Sequence, residues 1–234
     1  MVIVITMAGA GSRFRNVGYN CPKFMIEVKG RTLFEWSMDS LINYFPYCSK
    51  IIFVSRKEDK AKNFIFEKMK RYKLEKIEII ELEEMTDGQA STAYIGMQKC
   101  SSNEAVLVYN IDTYIEPDAL KYAELKGDGH IPCFHANGNH WSFVKGENGV
   151  VFDVAEKNRI SNNCSLGIYY FKKISDYIET YRMFDFSHYN KEKYIAPMYN
   201  FLLNQKKNIT FSIIDNKKVH VLGTPEELEE FKKI

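Results

Sequence analysis

The stretch Val2-Ile3-Val4-Ile5-Thr6-Met7-Ala8-Gly9-Ala10-Gly11-Ser12-Arg13-Phe14, with Pro22-Lys23 shortly after it, decides how this chain is read. Its β-branched opening predicts a buried strand over residues 2–6. The strand empties into a turn of small residues, Ala8 to Ser12. Gly9 and Gly11 carry no side chain, so backbone N–H groups there can come close against a ligand. Arg13 and Lys23 add fixed positive charge to the same loop. Bare amides and cations together suit a polyphosphate.

Spacing separates the kinds of glycine-rich phosphate loop. A P-loop requires G-x-x-x-x-G-K-[ST], and no such string occurs. A dinucleotide fingerprint requires G-x-G-x-x-G opening a helix at once. Here Phe14 stands at the third glycine, and residues 16–20 (Asn-Val-Gly-Tyr-Asn) read as loop.

The 234 residues carry 32 basic and 30 acidic side chains, a net charge of +2, and 45% hydrophobic residues. That balance describes an ordinary globule of one domain and gives no reason to expect nucleic acid or a membrane surface as partner. The longest apolar runs are strand-sized, so no transmembrane segment is expected. No basic n-region and no h-region of signal-peptide length opens the chain, which points to the cytoplasm. Cys21, Cys48, Cys100, Cys133 and Cys164 are scattered singly, without a C-x-x-C pair, so neither disulfides nor structural zinc is expected. His130, His135 and His140 recur every five residues, which fits neither a helix face nor a strand face and argues against a metal site.

The first half alternates strands and helices. Thr32-Leu33-Phe34-Glu35 has the form of a capping box and predicts a helix over 33–45, buried through Phe34, Met38, Leu41, Ile42 and Phe45. Residues 50–55 read as strand, 58–72 as a charged amphipathic helix, 76–82 as strand, 83–89 as loop and 90–100 as helix. Ala105 to Tyr109 is apolar throughout and reads as a central strand. The alternation predicts an α/β fold: a mostly parallel sheet with right-handed crossovers and helices on both faces. Ligands of such sheets sit at the carboxyl ends of the strands, where the 8–12 turn and Asn110-Ile111-Asp112 both lie.

The second half changes character. Residues 131–136, 141–145, 149–155 and 164–172 read as strands, with turns at Asn137-Gly138 and Glu147-Asn148-Gly149, forming a small mixed or antiparallel β extension. Helices are expected near 174–183 and 193–205, and strands at 209–214 and 218–222. A last helix opens at Thr224-Pro225-Glu226-Glu227, a capping box with proline at the first helical position.

Asp112 ends a buried apolar strand, where a carboxylate is costly unless a cation meets it; Mg²⁺ is the natural cation of a phosphate site. Gln89, after Gly88, carries an amide that donates and accepts at once, as reading the edge of a nucleobase demands.

Gly9-x-Gly11-Ser12-Arg13-Phe14 followed by Pro22-Lys23 resembles the signature of the sugar nucleotidyltransferases, the sugar-phosphate pyrophosphorylases. Further strings follow in the same order: Gly88-Gln89 in DGQASTA, Asp112 after the central strand, Lys157 in VAEKNR, and SLGIYYF from Ser165 to Phe171. The run from Trp141 to Ile168 resembles a branch found among surface-polysaccharide gene products. The resemblance covers nearly the whole chain. It implies a three-layer, Rossmann-like (glycosyltransferase-A-like) fold in one domain, residues 1–234, with a nucleotide-binding half (1–125) and an acceptor-binding half (126–234). It implies Mg²⁺ on Asp112, and Arg13, Lys23 and Lys157 as catalytic cations. Nucleotide contacts fall to Ala8, Gly9, Ala10, Gly11, Ser12, Gly88, Gln89 and Asn110, and acceptor contacts to Lys157, Gly167 and Trp141. A homodimer is common among such proteins.

The implied reaction joins an NTP to a phosphorylated acceptor, a sugar 1-phosphate or another small phosphorylated metabolite, and releases pyrophosphate. A Gly-Gln reader favours CTP, then UTP or dTTP. One departure stands out. Many members carry a second metal-binding Asp in a Leu-Asp-Thr-Gly-like string, and here Gly223 of Val221-Leu222-Gly223-Thr224-Pro225 stands at that place. Either Asp112 holds the metal with phosphates and water, or another carboxylate substitutes. Two other readings remain. One is a glycosyltransferase of related fold, whose D-x-D is defective here as Asn110-Ile111-Asp112. The other is a catalytically silent nucleotide-binding regulator, favoured by the missing Asp and disfavoured by the intact Arg13, Lys23, Asp112 and Lys157 set.

Overall fold

The computed structural model describes residues 1–189 and 192–234. The chain opens with β1 (Val2–Thr6), and a short helix α1 (Ser12–Asn16) follows the small-residue turn. A ribbon of β2 (Glu27–Val28) and β3 (Arg31–Thr32) leads to α2 (Leu33–Asp39). Then come β4 (Lys50–Arg56), α3 (Ala61–Met69), β5 (Ile77–Leu82), α4 (Gln89–Met97) and β6 (Val106–Asn110). The second half holds β7 (Thr113–Ile115), β8 (Gly129–His135), β9 (Ser142–Glu147), β10 (Val150–Glu156), β11 (Asn163–Ser165) and β12 (Ile168–Phe171). It closes with α5 (Ile174–Met183), α6 (Met198–Asn204), β13 (Ile209–Ile213), β14 (Val219–Val221) and α7 (Pro225–Lys233).

One sheet of 10 strands runs in the order β11-β9-β10-β13-β8-β12-β6-β1-β4-β5. The first-half strands β6, β1, β4 and β5 are parallel, as expected of an α/β fold. The mixed second-half strands continue the same sheet: β12 joins β6 antiparallel, and β13 lies parallel beside β8. β11 pairs with both β9 and β8, so that end of the sheet curls back on itself.

Strand alternation sorts the core into two layers. Ile3, Ile5, Ile51, Phe53, Leu107 and Tyr109 face one side, under Phe34, Met38 and Leu41 of the α2 segment and Ala61, Ile65 and Met69 of α3. Val2, Val4, Ile52, Val54, Val106 and Val108 face the other, under Ala90, Ala93 and Met97 of α4, Tyr177 of α5 and Tyr199 and Leu202 of α6. Val2 to Ile5 are fully buried, and each such side chain contributes roughly 1.5–3 kcal/mol. That burial fixes β1 at the centre and holds the turn after it.

Several boundaries differ from the sequence reading. The helix expected over 33–45 ends at Asp39, and Ile42–Tyr47 forms a 3₁₀ turn containing Pro46, which has no N–H to donate and disfavours helix at Phe45. The strand expected over 164–172 breaks into β11 and β12 at Gly167, whose φ is +73. The helix expected over 193–205 starts only after Pro197. Asn16, expected in a loop, ends α1. No helix among the described residues is long and apolar enough to cross a membrane.

Candidate active site

Thr6 and Asn110 are register partners at the carboxyl ends of β1 and β6, so the turn after one strand and the acid after the other lie side by side. A cleft of about 760 Å³ opens there. Every residue singled out from the sequence lines it: Ala8, Gly9, Ala10, Gly11, Ser12, Arg13, Lys23, Gly88, Gln89, Asn110, Asp112, Trp141, Lys157 and Gly167.

The turn is built as bare backbone. Gly9 has open space where a Cβ would stand, and Gly11 adopts φ +63, a conformation that favours glycine. Among the described residues, nothing in the backbone accepts from the Gly9, Ala10 or Gly11 amides. Arg13 is exposed beside them and forms no ion pair among the described residues. Phe14, on the same turn, packs with Ile26, Leu33, Leu222, Leu228 and Phe231, which ties the turn to α7 and to the segment after β14.

Lys23 Nζ lies 3.1 Å from Asp112 Oδ2, with the two side chains 16% and 34% exposed. Both groups therefore meet at the cleft wall with their charges still accessible. Gly223 is the third party. A Cβ on it would stand 3.7 Å from Asp112 Oδ2, 3.9 Å from Lys23 Nζ and 3.2 Å from Glu227 Oε2. The carboxylate nearest the gap at Gly223 is thus Glu227, which accepts from the Gly223 N–H at 2.8 Å and also lines the cleft. No three His, Cys, Asp or Glu side chains gather into a metal-binding group among the described residues. One or two hard oxygen donors on an open wall fit Mg²⁺, which takes waters and substrate phosphates for its remaining ligands.

Gln89 opens α4 after Gly88, and its Nε2 donates to Thr6 Oγ1 at 3.2 Å, which holds the amide against the end of β1. Asp87 precedes it. Burial opposes ionisation of Asp87, but hydrogen bonds from Ser91 and Lys193 prevail and hold its carboxyl below the usual range. Asn110 packs on Gly167, where a Cβ would stand 2.5 Å from Asn110 Nδ2, so only glycine admits this side chain. The Asn110 Oδ1 is buried without a partner among the described residues.

The second half supplies the rest of the lining. Trp141 donates through Nε1 to the Asn137 carbonyl at 2.9 Å and stacks near His140. Lys157 Nζ donates to the Tyr194 hydroxyl at 2.5 Å and lies 3.7 Å from Glu192 Oε2. Burial pushes the neighbouring Glu156 carboxyl up, against the opposing pull of Ser142 and Lys157. Phe143 is fully buried core, whereas Tyr169 lines the cleft.

Sequence reasoning did not find Glu227, Glu192, Tyr194 or Arg56. Arg56 ends β4 at the same sheet edge, pinned by Asp59 at 3.1 and 2.7 Å, and the carboxyl-end rule that found Asp112 reaches it too. Tyr194 and Glu192 carry no local signal, because only the packing of the second half brings them to Lys157.

Residues 3–153 match the MobA-like NTP transferase domain. The nucleoside-diphosphate-sugar pyrophosphorylase from Vibrio cholerae RC9 is 34% identical, with a TM-score of 0.91 and 100% of each chain covered. Two more distant structures share the fold alone. The inositol-1-phosphate CTP transferase from T. maritima is 14% identical, with TM-score 0.76 over 99% of this chain and 93% of that one. HddC from Yersinia pseudotuberculosis is 20% identical, with TM-score 0.67 over 99% of each chain. No curated protein matches the chain significantly. A domain match across most of the chain, together with a full-length likeness carrying a third of the residues unchanged, makes this chain a member of the MobA-like NTP transferase family.

Proposed function

We propose that this chain transfers a nucleotidyl group from an NTP to a phosphorylated acceptor and releases pyrophosphate. CTP is the favoured nucleotide, with UTP or dTTP next, and the acceptor is a sugar 1-phosphate or another small phosphorylated metabolite. The setting is cytoplasmic synthesis of capsule or other surface polysaccharide. The observation that carries the reading is the Lys23–Asp112 pair, 3.1 Å apart beside a turn of bare amides at two adjacent strand ends.

In this reading the acceptor phosphate oxygen attacks the α-phosphorus in line with departing pyrophosphate. Such chemistry needs positioning and charge neutralisation more than a covalent catalyst. The Ala8–Ser12 amides and Arg13 hold the β- and γ-phosphates. Lys23 neutralises charge growing at the α-phosphate, and Lys157 grips the acceptor phosphate. Gln89 reads the base from the loop at Gly88, and Asn110 sits beside the nucleotide. Gly167, with Asn110 packed on it, lines the acceptor side of the cleft, and Trp141 supplies an apolar wall. Asp112, with Glu227 the carboxylate at hand in place of an acid at 223, would hold Mg²⁺, which would supply charge that offsets the triphosphate. Residues 1–125 form the nucleotide half of a single domain and 126–234 the acceptor half. The CTP preference is supported by the Gln89 amide, and the T. maritima relative in fold is a CTP transferase.

The test is pyrophosphate release with Mg²⁺ and each of CTP, UTP, dTTP, ATP and GTP, against a mixed pool of sugar phosphates and small phosphorylated metabolites. Release with one pyrimidine nucleotide that depends on the pool supports the reading. Tight nucleotide binding with no release from any of the five contradicts it.

A further inference from the structure

The 87–90 loop at the cleft and the segment at Lys193 are joined by main-chain hydrogen bonds. Lys193 N–H donates to the Asp87 carbonyl at 2.7 Å, and Ala90 N–H donates to the Lys193 carbonyl at 3.0 Å. Between these bonds sits Gly88, at φ +147, where a Cβ would stand 2.5 Å from the Lys193 nitrogen and collide with its carbonyl. Side chains repeat the tie. Lys193 Nζ lies 2.9 Å from Asp87 Oδ2 and rests over the Tyr181 ring. The segment around Lys193 is therefore strapped onto both sides of the loop that carries Gln89.

The residues flanking Lys193 hold Lys157. Its ammonium donates to the Tyr194 hydroxyl at 2.5 Å and lies 4.6 Å from the Tyr194 ring centroid. Tyr194 in turn donates to Glu192, which also stands 3.7 Å from Lys157 Nζ. Lys157 has φ +54, an uncommon conformation for a residue that carries a Cβ. One peptide segment thus touches both the loop at Gly88 and Lys157.

We infer that Tyr194, backed by Glu192, is a positioning residue for Lys157, and that the strap through Lys193 carries the state of the Asp87-Gly88-Gln89 loop to that lysine. The inference rests on the nucleotidyl-transfer reading given above. A base that fixes Gln89 also fixes the two main-chain bonds on either side of it. The strap then holds Tyr194 and Glu192 in place, and Lys157 is presented when a nucleotide is bound. Coupling of this kind runs through a contiguous set of hydrogen bonds, and it is measured as a change at one site on occupancy of the other.

The experiment reads Lys157 reactivity towards acetic anhydride by peptide mass spectrometry, with Mg²⁺ and with or without each of CTP, UTP, dTTP, ATP and GTP. Calorimetry on the same samples sets each nucleotide at saturation. In the unaltered protein, the nucleotide that binds is expected to lower Lys157 acetylation about fivefold or more, the lower end of typical coupling. Tyr194→Phe keeps the ring and removes the hydroxyl, so at saturation the nucleotide dependence should fall towards one. Glu192→Gln, at an exposed position, should lower it in part and serves if Tyr194→Phe folds poorly. Equal protection in the unaltered protein and both variants means the nucleotide merely shields the lysine, and overturns the inference. Nucleotide bound with no change at Lys157 overturns it while leaving nucleotidyl transfer standing. Binding of none of the five nucleotides removes that reading, and the inference with it.

Discussion

At the scale of single residues, the account rests on Lys23. It projects from a 3₁₀ turn that begins after Pro22, and its Cβ packs 3.6 Å from the position a Gly11 Cβ would take, so the turn and the cation form one unit. Its ammonium meets only Asp112 among the carboxylates of the described residues. Lys23→Ala is expected to lower kcat by about 10²–10³, the usual loss when one donor to developing charge is removed. Thermal unfolding should move little, because the pair lies at a partly exposed wall. Steady-state rates within threefold of the parent would remove Lys23 from the mechanism. This residue was legible because strand, small-residue turn and Pro-Lys are all local in sequence. Glu227 was not. It approaches Gly223 only because helix N-capping geometry turns its carboxylate back, and Gly223 approaches Asp112 only because β14 pairs with β7.

At the scale of elements, α7 shows how a cap does two jobs. Thr224 Oγ1 accepts from the Glu227 N–H at 3.2 Å, Pro225 occupies the first helical position, and Glu227 returns to the Gly223 N–H. The same geometry that starts the helix places Glu227 beside the cleft. Thr224→Ala should cost about 1 kcal/mol and lower Tm by about 2–4 °C, as read by calorimetry. It should also weaken Mg²⁺ dependence, since Glu227 loses its anchor; an unchanged Mg²⁺ titration would separate Glu227 from the metal. The capping box at Thr32 and Glu35 was legible and forms with bonds of 3.3 and 2.9 Å; at Thr224 only its first half forms, because the Glu227 carboxylate accepts from Gly223 rather than from Thr224. Breaks in elements were harder to read. Gly167 stops a run that looks like one continuous strand, because the bend it makes serves Asn110, a partner far away in sequence.

In the molecule as a whole, the parallel pairing of the first half followed from strand–helix alternation. The joining of the second half did not, because β13 pairs parallel to β8 across four intervening strands and two helices, and no local pattern announces it. His130 lies in that joint, 2% exposed, with its ring nitrogens 2.8 Å from Thr210 Oγ1 and 3.1 Å from Ser212 Oγ. Burial lowers its pKa from 6.5 to about 4. Below pH 6.5 the unfolded chain binds a proton that the folded chain refuses. The stabilisation is therefore full above pH 6.5 and is lost as pH falls towards 4, on the order of 3 kcal/mol in all. Urea unfolding of the parent and of His130→Asn at pH 7.5 and 4.5 should show a smaller pH-dependent loss in the variant; equal losses would assign the acid sensitivity elsewhere.

In the proposed reaction a nucleotide and an acceptor phosphate meet in the cleft, and what distinguishes that reaction is which bond breaks between them. The most direct measurement follows two labels in one reaction, with α-³²P and γ-³²P nucleotide in parallel, Mg²⁺ and the phosphorylated acceptor pool. The γ-label is expected to leave as pyrophosphate while an equal amount of α-label enters a new product joined to the acceptor. Release of γ-label as inorganic phosphate, or α-label that stays in mononucleotide with the acceptor unchanged, would contradict the proposed reaction.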